Sequence, residues 1–327
     1  MITVYAAVIK FILIVVSGIL GGLIGSLTGL GGGTVIVPIL SLFMGVPLYF
    51  AAGAGLISSI ATSAGSASAY TRERIANIKV GIGLEVSTTL GVIVGASLAV
   101  YVYTKGLEGV IYVIFGLVLL FSLIPTIRRG KYELPQELKK DRSTGIFQLV
   151  GSYFDSKMKK EIKYSGVRWW LGEIVVFVSG TLSGLLGIGG GALNVLAMDG
   201  IMNLPMKVAT TTSNFMVGIT AATGTSIYWY EGYIQFFIVA STAIGVLIGA
   251  FLGAKILVRI SNKNIRWIFF SILSFLGAQM VLKGLNAESM LVLNDIIRLA
   301  ISAVFAFVLI FSIYIVSRRK EAVARPS

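Results

Sequence analysis

The sequence predicts an all-α integral membrane protein of two inverted-topology repeats, each a Gly-rich broken or re-entrant hairpin plus three spanning helices, with one extra C-terminal helix. Composition is the first observation behind this expectation. Apolar residues make up 56% of the chain and charged residues only 13%, with a mean hydropathy of +0.91; soluble domains carry roughly 25% charge. Run length is the second, because several apolar stretches reach the ~20 residues that a bilayer span requires. The third is self-similarity: Gly29-Leu30-Gly31-Gly32-Gly33 returns 158 residues later as Gly187-Ile188-Gly189-Gly190-Gly191.

That offset holds without a gap. Pro47 matches Pro205, Ala51 matches Ala209, Thr62 matches Thr220, Tyr70 matches Tyr228, Glu73 matches Glu231, and Gly91 and Gly95 match Gly249 and Gly253. A constant register across so many landmarks marks a duplicated unit. Residues 1–127 therefore form the first membrane repeat and 128–166 a basic loop. Residues 167–284 form the second repeat, and 285–327 hold an additional transmembrane helix and a basic tail.

In chain order, Val4 to Leu27 is the first span. It contains Lys10 and lacks a basic start followed by a small-residue cleavage site, so it reads as a retained helix. After the first Gly turn, Thr34 to Gly45 is too short to cross at ~1.5 Å per residue, as is Ala192 to Asn203 in the second copy. Irregular backbone at such depth is tolerated only inside protein or beside a water-filled cavity. Val80 to Tyr103, Leu107 to Ile127, Phe236 to Val258, Trp267 to Leu282 and Ile296 to Val316 are plain spans. Phe50 to Ala69 and Val208 to Tyr228 are rich in hydroxyls but nearly free of charge. The expected total is nine to eleven spanning elements.

Lysine and arginine placement sets orientation. Arg128 to Arg168 holds eleven basic and five acidic residues, a net of +6, and Arg318-Arg319-Lys320 and the loop of Lys255, Arg259, Lys263 and Arg266 are also basic. The central loop and C-terminus are therefore expected in the cytoplasm of a multi-pass cell-membrane protein, with the N-terminus outside. Arg72-Glu73-Arg74 then lies inside and its repeat partner Tyr230-Glu231-Gly232 outside, so the repeats are inverted. Inverted repeats belong to transporters that alternate access around a midplane site. The net charge of +13 follows from the same loops, so nucleic acid is not an expected partner. The chain has no Cys and no His, which removes thiol and imidazole chemistry. Without a metal-ligand cluster, nucleophile–base pair or cofactor motif, neither enzyme, metal nor cofactor is expected. Trp169, Trp170, Trp229 and Trp267 fall at helix ends and read as an interfacial belt.

Candidate chemistry lies first at the Gly turns. Gly31, Gly32, Gly33 with Thr34, and Gly189, Gly190, Gly191 with Asn194 nearby, let backbone N–H groups approach a ligand closely. Thr34 and Ala192 would each open a helix whose positive end attracts anions. The same glycines would also serve close helix crossing. Hydroxyl-rich stretches come second: Ser59, Thr62 and Ser63 after one Pro, and Thr212, Ser213 and Asn214 after the other. They suit an oxyanion pathway, or merely helix-to-helix hydrogen bonding. Glu85 is a proton-coupling candidate or the partner of a nearby base such as Lys79 or Arg74; Asp199 is a functional candidate or a charge exposed at the cytoplasmic end of its hairpin, and Lys207 either attracts anions or follows the orientation rule.

Gly29-Leu-Gly-Gly-Gly33 with Val35-Ile-Val-Pro38 and Gly45-Val-Pro47 resembles the opening of the TauE/SafE sulfite-exporter family. So do Ile60-Ala-Thr-Ser63, Tyr70-Thr-Arg-Glu-Arg74, Asn77-Ile-Lys79 and Gly83-Leu-Glu85. In the second half Gly187 to Gly191 and Pro205-Met-Lys-Val-Ala-Thr-Thr-Thr-Ser-Asn214 agree. The resemblance implies secondary transport, mostly outward, of a small sulfur-containing anion such as sulfite, thiosulfate or an organosulfonate. Where similar members carry Lys-Val-Pro after the second Gly turn and then Asn, this chain has Asn194-Val-Leu196 and Asp199. Alternatives left open are a passive anion channel and a scaffold that docks partners on the basic loop.

Overall fold

The computed structural model describes residues 2–73, 75–121, 123, 141–147, 149–155, 157–287 and 293–323. Arg74 and the basic residues of 128–140 lie outside the described residues, as do the side chains of Arg72, Lys263, Arg318, Arg319 and Lys320. The first half runs α1 (Ile2–Thr28), α2 (Gly33–Pro38), α3 (Leu48–Glu73), α4 (Ile78–Thr104) and α5 (Glu108–Phe121). A linker follows, with α6 (Arg142–Ile146), β1 (Val150–Asp155) and β2 (Lys160–Ser165). The second half runs α7 (Trp169–Leu186), α8 (Gly191–Val195), α9 (Met206–Tyr230), α10 (Phe236–Arg259) and α11 (Asn262–Ala287); α12 (Asp295–Val323) is additional.

Among the described residues, six helices are long and apolar enough to cross a membrane: Val8–Thr28, Leu48–Ser66, Ile78–Thr104, Trp169–Leu186, Phe236–Arg259 and Asn264–Ala287. Helix α9 has the length but carries Thr210-Thr211-Thr212-Ser213-Asn214. Every residue from Met206 to Asn214 is buried, and a helix lined by other helices can be polar. Helices α2 and α8 each continue as a π-helical turn, Ile39–Phe43 and Leu196–Ile201. Pro38 withdraws a helical N–H in the first copy, but Leu196 stands in its place in the second, so proline alone does not cause the wider turn.

The halves are interleaved. Helix α1 lies along α10 and α4 along α7, α3 packs on α10 and α9 on α4, and the pairs α3–α9 and α5–α11 join like to like. Exchanging the halves maps this pattern onto itself. Close approach depends on small residues: Gly91 and Gly95 of α4 face the carbonyls of Phe177 and Thr181, while Gly249 and Gly253 of α10 face those of Ile19 and Leu23. All four contacts recur at the 158-residue offset. So does a hydrogen bond, from the Tyr70 hydroxyl to the Ser26 carbonyl (2.7 Å) and from Tyr228 to Gly184 (2.9 Å).

The linker holds an antiparallel hairpin, β1–β2, with Val150 opposite Ser165 and Asp155 opposite Lys160. Sequence reading assigned this stretch a charge but no element. Its inner face buries Tyr153, Asp155, Ile162 and Tyr164, in the alternation expected of a strand pair covering a surface. It sits on the end of the bundle where α4 and α9 begin and α10 ends. Asn77 Nδ2 donates to Tyr164 Oη (3.1 Å), and Val167 N donates to Met202 O (3.0 Å). Asp141 forms a capping box with Thr144 and accepts the Arg168 N–H at 2.7 Å. At the opposite end Tyr49, Tyr103 and Tyr233 pack ring on ring, 5.3–6.1 Å between centroids. Of the expected tryptophan belt, Trp170 and Trp229 are exposed, whereas Trp169 is buried and stacks on Phe147 at 4.5 Å.

Candidate functional site

The two Gly turns meet in the interior. Gly31 and its repeat partner Gly189 both take left-handed backbone, φ +77° and +76°, which reverses the chain after α1 and α7 without a Cβ in the way. A Cβ on Gly191 would collide with the backbone of Gly29 and Leu30, so one turn rests directly on the other. Hydroxyls of the predicted clusters splint this junction. Ser213 Oγ lies 2.8 Å from Gly29 O and 3.2 Å from Gly191 O, touching both turns. Ser59 Oγ donates to Gly55 O (2.9 Å) and Ile188 O (3.3 Å) and accepts the Gly33 N–H (3.2 Å). Thr62 Oγ1 accepts the Gly32 N–H at 2.9 Å. Two of the backbone donors expected to face a ligand are therefore held by side chains of α3.

The remaining predicted residues have distinct places. Thr34 bonds back to Leu30 O (2.9 Å), within its own turn. Ser63 is half-buried where α3 crosses α9 beside Gly218. Gly190 O accepts from Ser179 Oγ at 2.6 Å. Thr212 Oγ1 accepts the Asn77 N–H at 2.9 Å and so ties α9 to the start of α4. Asn214 Nδ2 donates to Ser26 O (2.9 Å) and Tyr70 Oη (3.2 Å). The clusters are not repeat equivalents: Ser58 to Ser63 correspond to Met216 to Ala221, and Thr210 to Asn214 to Ala52 to Leu56.

Several fully buried polar atoms near the turns have no hydrogen-bond partner: Ser58 Oγ, Ser183 Oγ, both amide atoms of Asn194, Thr210 Oγ1 and Asn214 Oδ1. Sequence reading missed Ser179 and Ser183 on α7. Their signal was a break in the repeat, since glycines 21 and 25 occupy those positions in the first copy.

Asp199 and Lys207 differ from expectation. Glu85, whose expected partner Arg74 lies outside the described residues, sits beside Thr220 of α9. Its Oε1 accepts from Thr220 (2.7 Å) and Thr89 (3.3 Å), and its Oε2 is buried without a partner at the α4–α9 contact. Asp199 is not a solvated edge charge but a buried group ion-paired with Arg266. Lys207 is wholly buried, its Nζ 3.1 Å from Asp155 Oδ2 and 3.3 Å from Val258 O. A sequence cannot show that a loop 52 residues upstream will bring it a counter-charge. Burial pushes the Asp155 carboxyl up, but the Met158 N–H, the Lys207 ammonium and the Lys157 N–H together hold it below the usual range.

The family model described as "Sulfite exporter TauE/SafE" matches residues 14–280. The chain is 30% identical over 283 residues to the probable membrane transporter protein YunE of Bacillus subtilis, covering 84% of this chain and 99% of that protein. It is 29% identical over 286 residues to a probable membrane transporter of Methanocaldococcus jannaschii, covering 83% and 95%. It is 23% identical over 245 residues to YdhB, another probable membrane transporter protein of Bacillus subtilis, covering 75% and 89%. No solved structure matches the chain.

Proposed function

The chain belongs to the TauE/SafE sulfite exporter family of membrane transporters, and from that premise we propose that it carries a small sulfur-containing anion across the cell membrane by alternating access. The observation that carries the reading is the group of buried, unpartnered hydroxyl and amide groups around the touching Gly turns. An orphaned polar atom costs roughly 1–3 kcal/mol, and several gathered beside Gly-rich backbone suit a polar cargo that passes through. Neutral donors hold an oxyanion without the full counter-charge that would retard release. Where the family resemblance implies a lysine this chain has Asn194, and a neutral site favours a singly charged sulfonate or hydrogen sulfite over a dianion.

In this reading the two halves are inverted repeats. The first hairpin opens toward the tyrosine cluster and the second toward the linker, and rocking of one half on the other exposes the junction to each side in turn. The linker and C-terminus are cytoplasmic, net movement is outward, and Glu85 takes up and releases a coupled proton against Thr220. The test is reconstitution into liposomes, measuring flux of sulfite, thiosulfate, methanesulfonate and sulfate with and without a pH gradient. Saturable flux of at least one of them supports transport; absence of flux for all four removes the reading, and flux that never saturates makes the protein a channel.

A further inference from the structure

We infer that Lys207 is the first anion-binding group on the linker side of the pathway, and that Asp155 occupies it in this conformation as a tethered substitute for substrate. The inference rests on the transport reading and names a group of that same pathway. Lys207 is wholly buried, and an ammonium so placed demands a counter-charge. Its carboxylate partner comes from neither membrane repeat but from the tip of the linker hairpin. In the first repeat the corresponding residue is Tyr49, packed in the tyrosine cluster, so the lysine is no part of the shared scaffold.

Asp155 is built to be withdrawn. Its other oxygen accepts the N–H groups of Lys157 (2.9 Å) and Met158 (3.0 Å), so the carboxylate keeps its shape and partners when Lys207 is given up. One turn further along α9 stands Thr210, buried with an unpartnered hydroxyl, and one more turn on is Ser213, which touches both Gly turns. A row of donors thus leads from Lys207 to the junction, and the hairpin stands at its head. A tethered group competes at an effective concentration on the order of millimolar, so a small oxyanion at comparable concentration displaces it.

The experiment compares the full-length wild type with Asp155→Asn and Lys207→Gln in proteoliposomes, reading half-saturation for sulfite, thiosulfate and methanesulfonate. Asp155→Asn is expected to lower half-saturation by about tenfold, because the competing carboxylate no longer closes the site. Lys207→Gln is expected to raise it by about tenfold, alone or with Asp155→Asn. An unchanged value in Asp155→Asn overturns the inference while leaving the transport reading intact. If the wild type moves none of the three anions, the transport reading fails and takes the inference with it. Should Asp155→Asn not fold, the chain's lack of cysteine provides a second route. Asn77→Cys with Tyr164→Cys, joined by a reducible thiol cross-linker, should stop flux until reduction; flux indifferent to the cross-link overturns the inference.

Discussion

Asn194 is the most informative single residue of the junction: it is fully buried, with neither amide atom bonded. Removing an orphan costs little because no bond is lost, so Asn194→Ala should move stability by less than about 1 kcal/mol. The same change should abolish the thermal stabilisation that the transported anion confers; a melting series in detergent with and without anion checks both. Asp141 makes a pH prediction outside the membrane. Burial acts to raise its carboxyl, but the Ser143 hydroxyl, the Arg168 N–H and the N–H and hydroxyl of Thr144 bring it down to about 2. Because the folded value is depressed, its contribution is complete above the ordinary 3.8 and is lost as pH falls through about 2. Pepsin should therefore begin to cleave the 141–147 segment only toward pH 2, whereas Asp141→Asn should be cleaved already near pH 4.

Between elements, the decisive contacts are glycine on carbonyl. A side chain at Gly95 or Gly253 would enter the backbone of Thr181 or Leu23 and push α4 from α7, or α10 from α1. Gly253→Leu should cost about 1–3 kcal/mol through overpacking, visible as a lower melting midpoint, and Gly95→Leu should cost about the same because its backbone contact repeats. The Gly turns follow a different rule. Gly32 is ordinary right-handed backbone with Thr62 Oγ1 2.6 Å from where its Cβ would sit, whereas Gly190 is left-handed at φ +77°. Gly190→Ala is thus strained by backbone and Gly32→Ala only by space. Of the two, Gly190→Ala should lower the midpoint more.

For the whole molecule, interleaving matters most. Since α1 is held by α10 and α4 by α7, neither half has a complete set of neighbours without the other. Glu85 lies on one such shared contact, between α4 and Thr220 of α9. If it carries the proton, Glu85→Gln should leave anion exchange across the liposome membrane near wild type while abolishing accumulation driven by a pH gradient. Equal loss of both would make Glu85 a structural group.

Sequence by itself determined the membrane class, the repeat and nearly every long helix, because these depend on composition, run length and register along the chain. Val80 to Tyr103 and Phe236 to Val258, read from apolar runs, lie within one or two residues of α4 and α10. The Gly turns were legible for the same reason, as a local pattern repeated at one offset, and the hydroxyls beside them as runs rich in Ser and Thr. Tertiary structure alone decided what each polar group does. Thr62 and Ser59 take up the N–H groups of the first turn, Asp199 finds Arg266, and Asp155 crosses from the linker to Lys207. Such pairings join residues dozens of positions apart, and the free energy that selects them comes from shared burial, which exists only once the chain has closed upon itself.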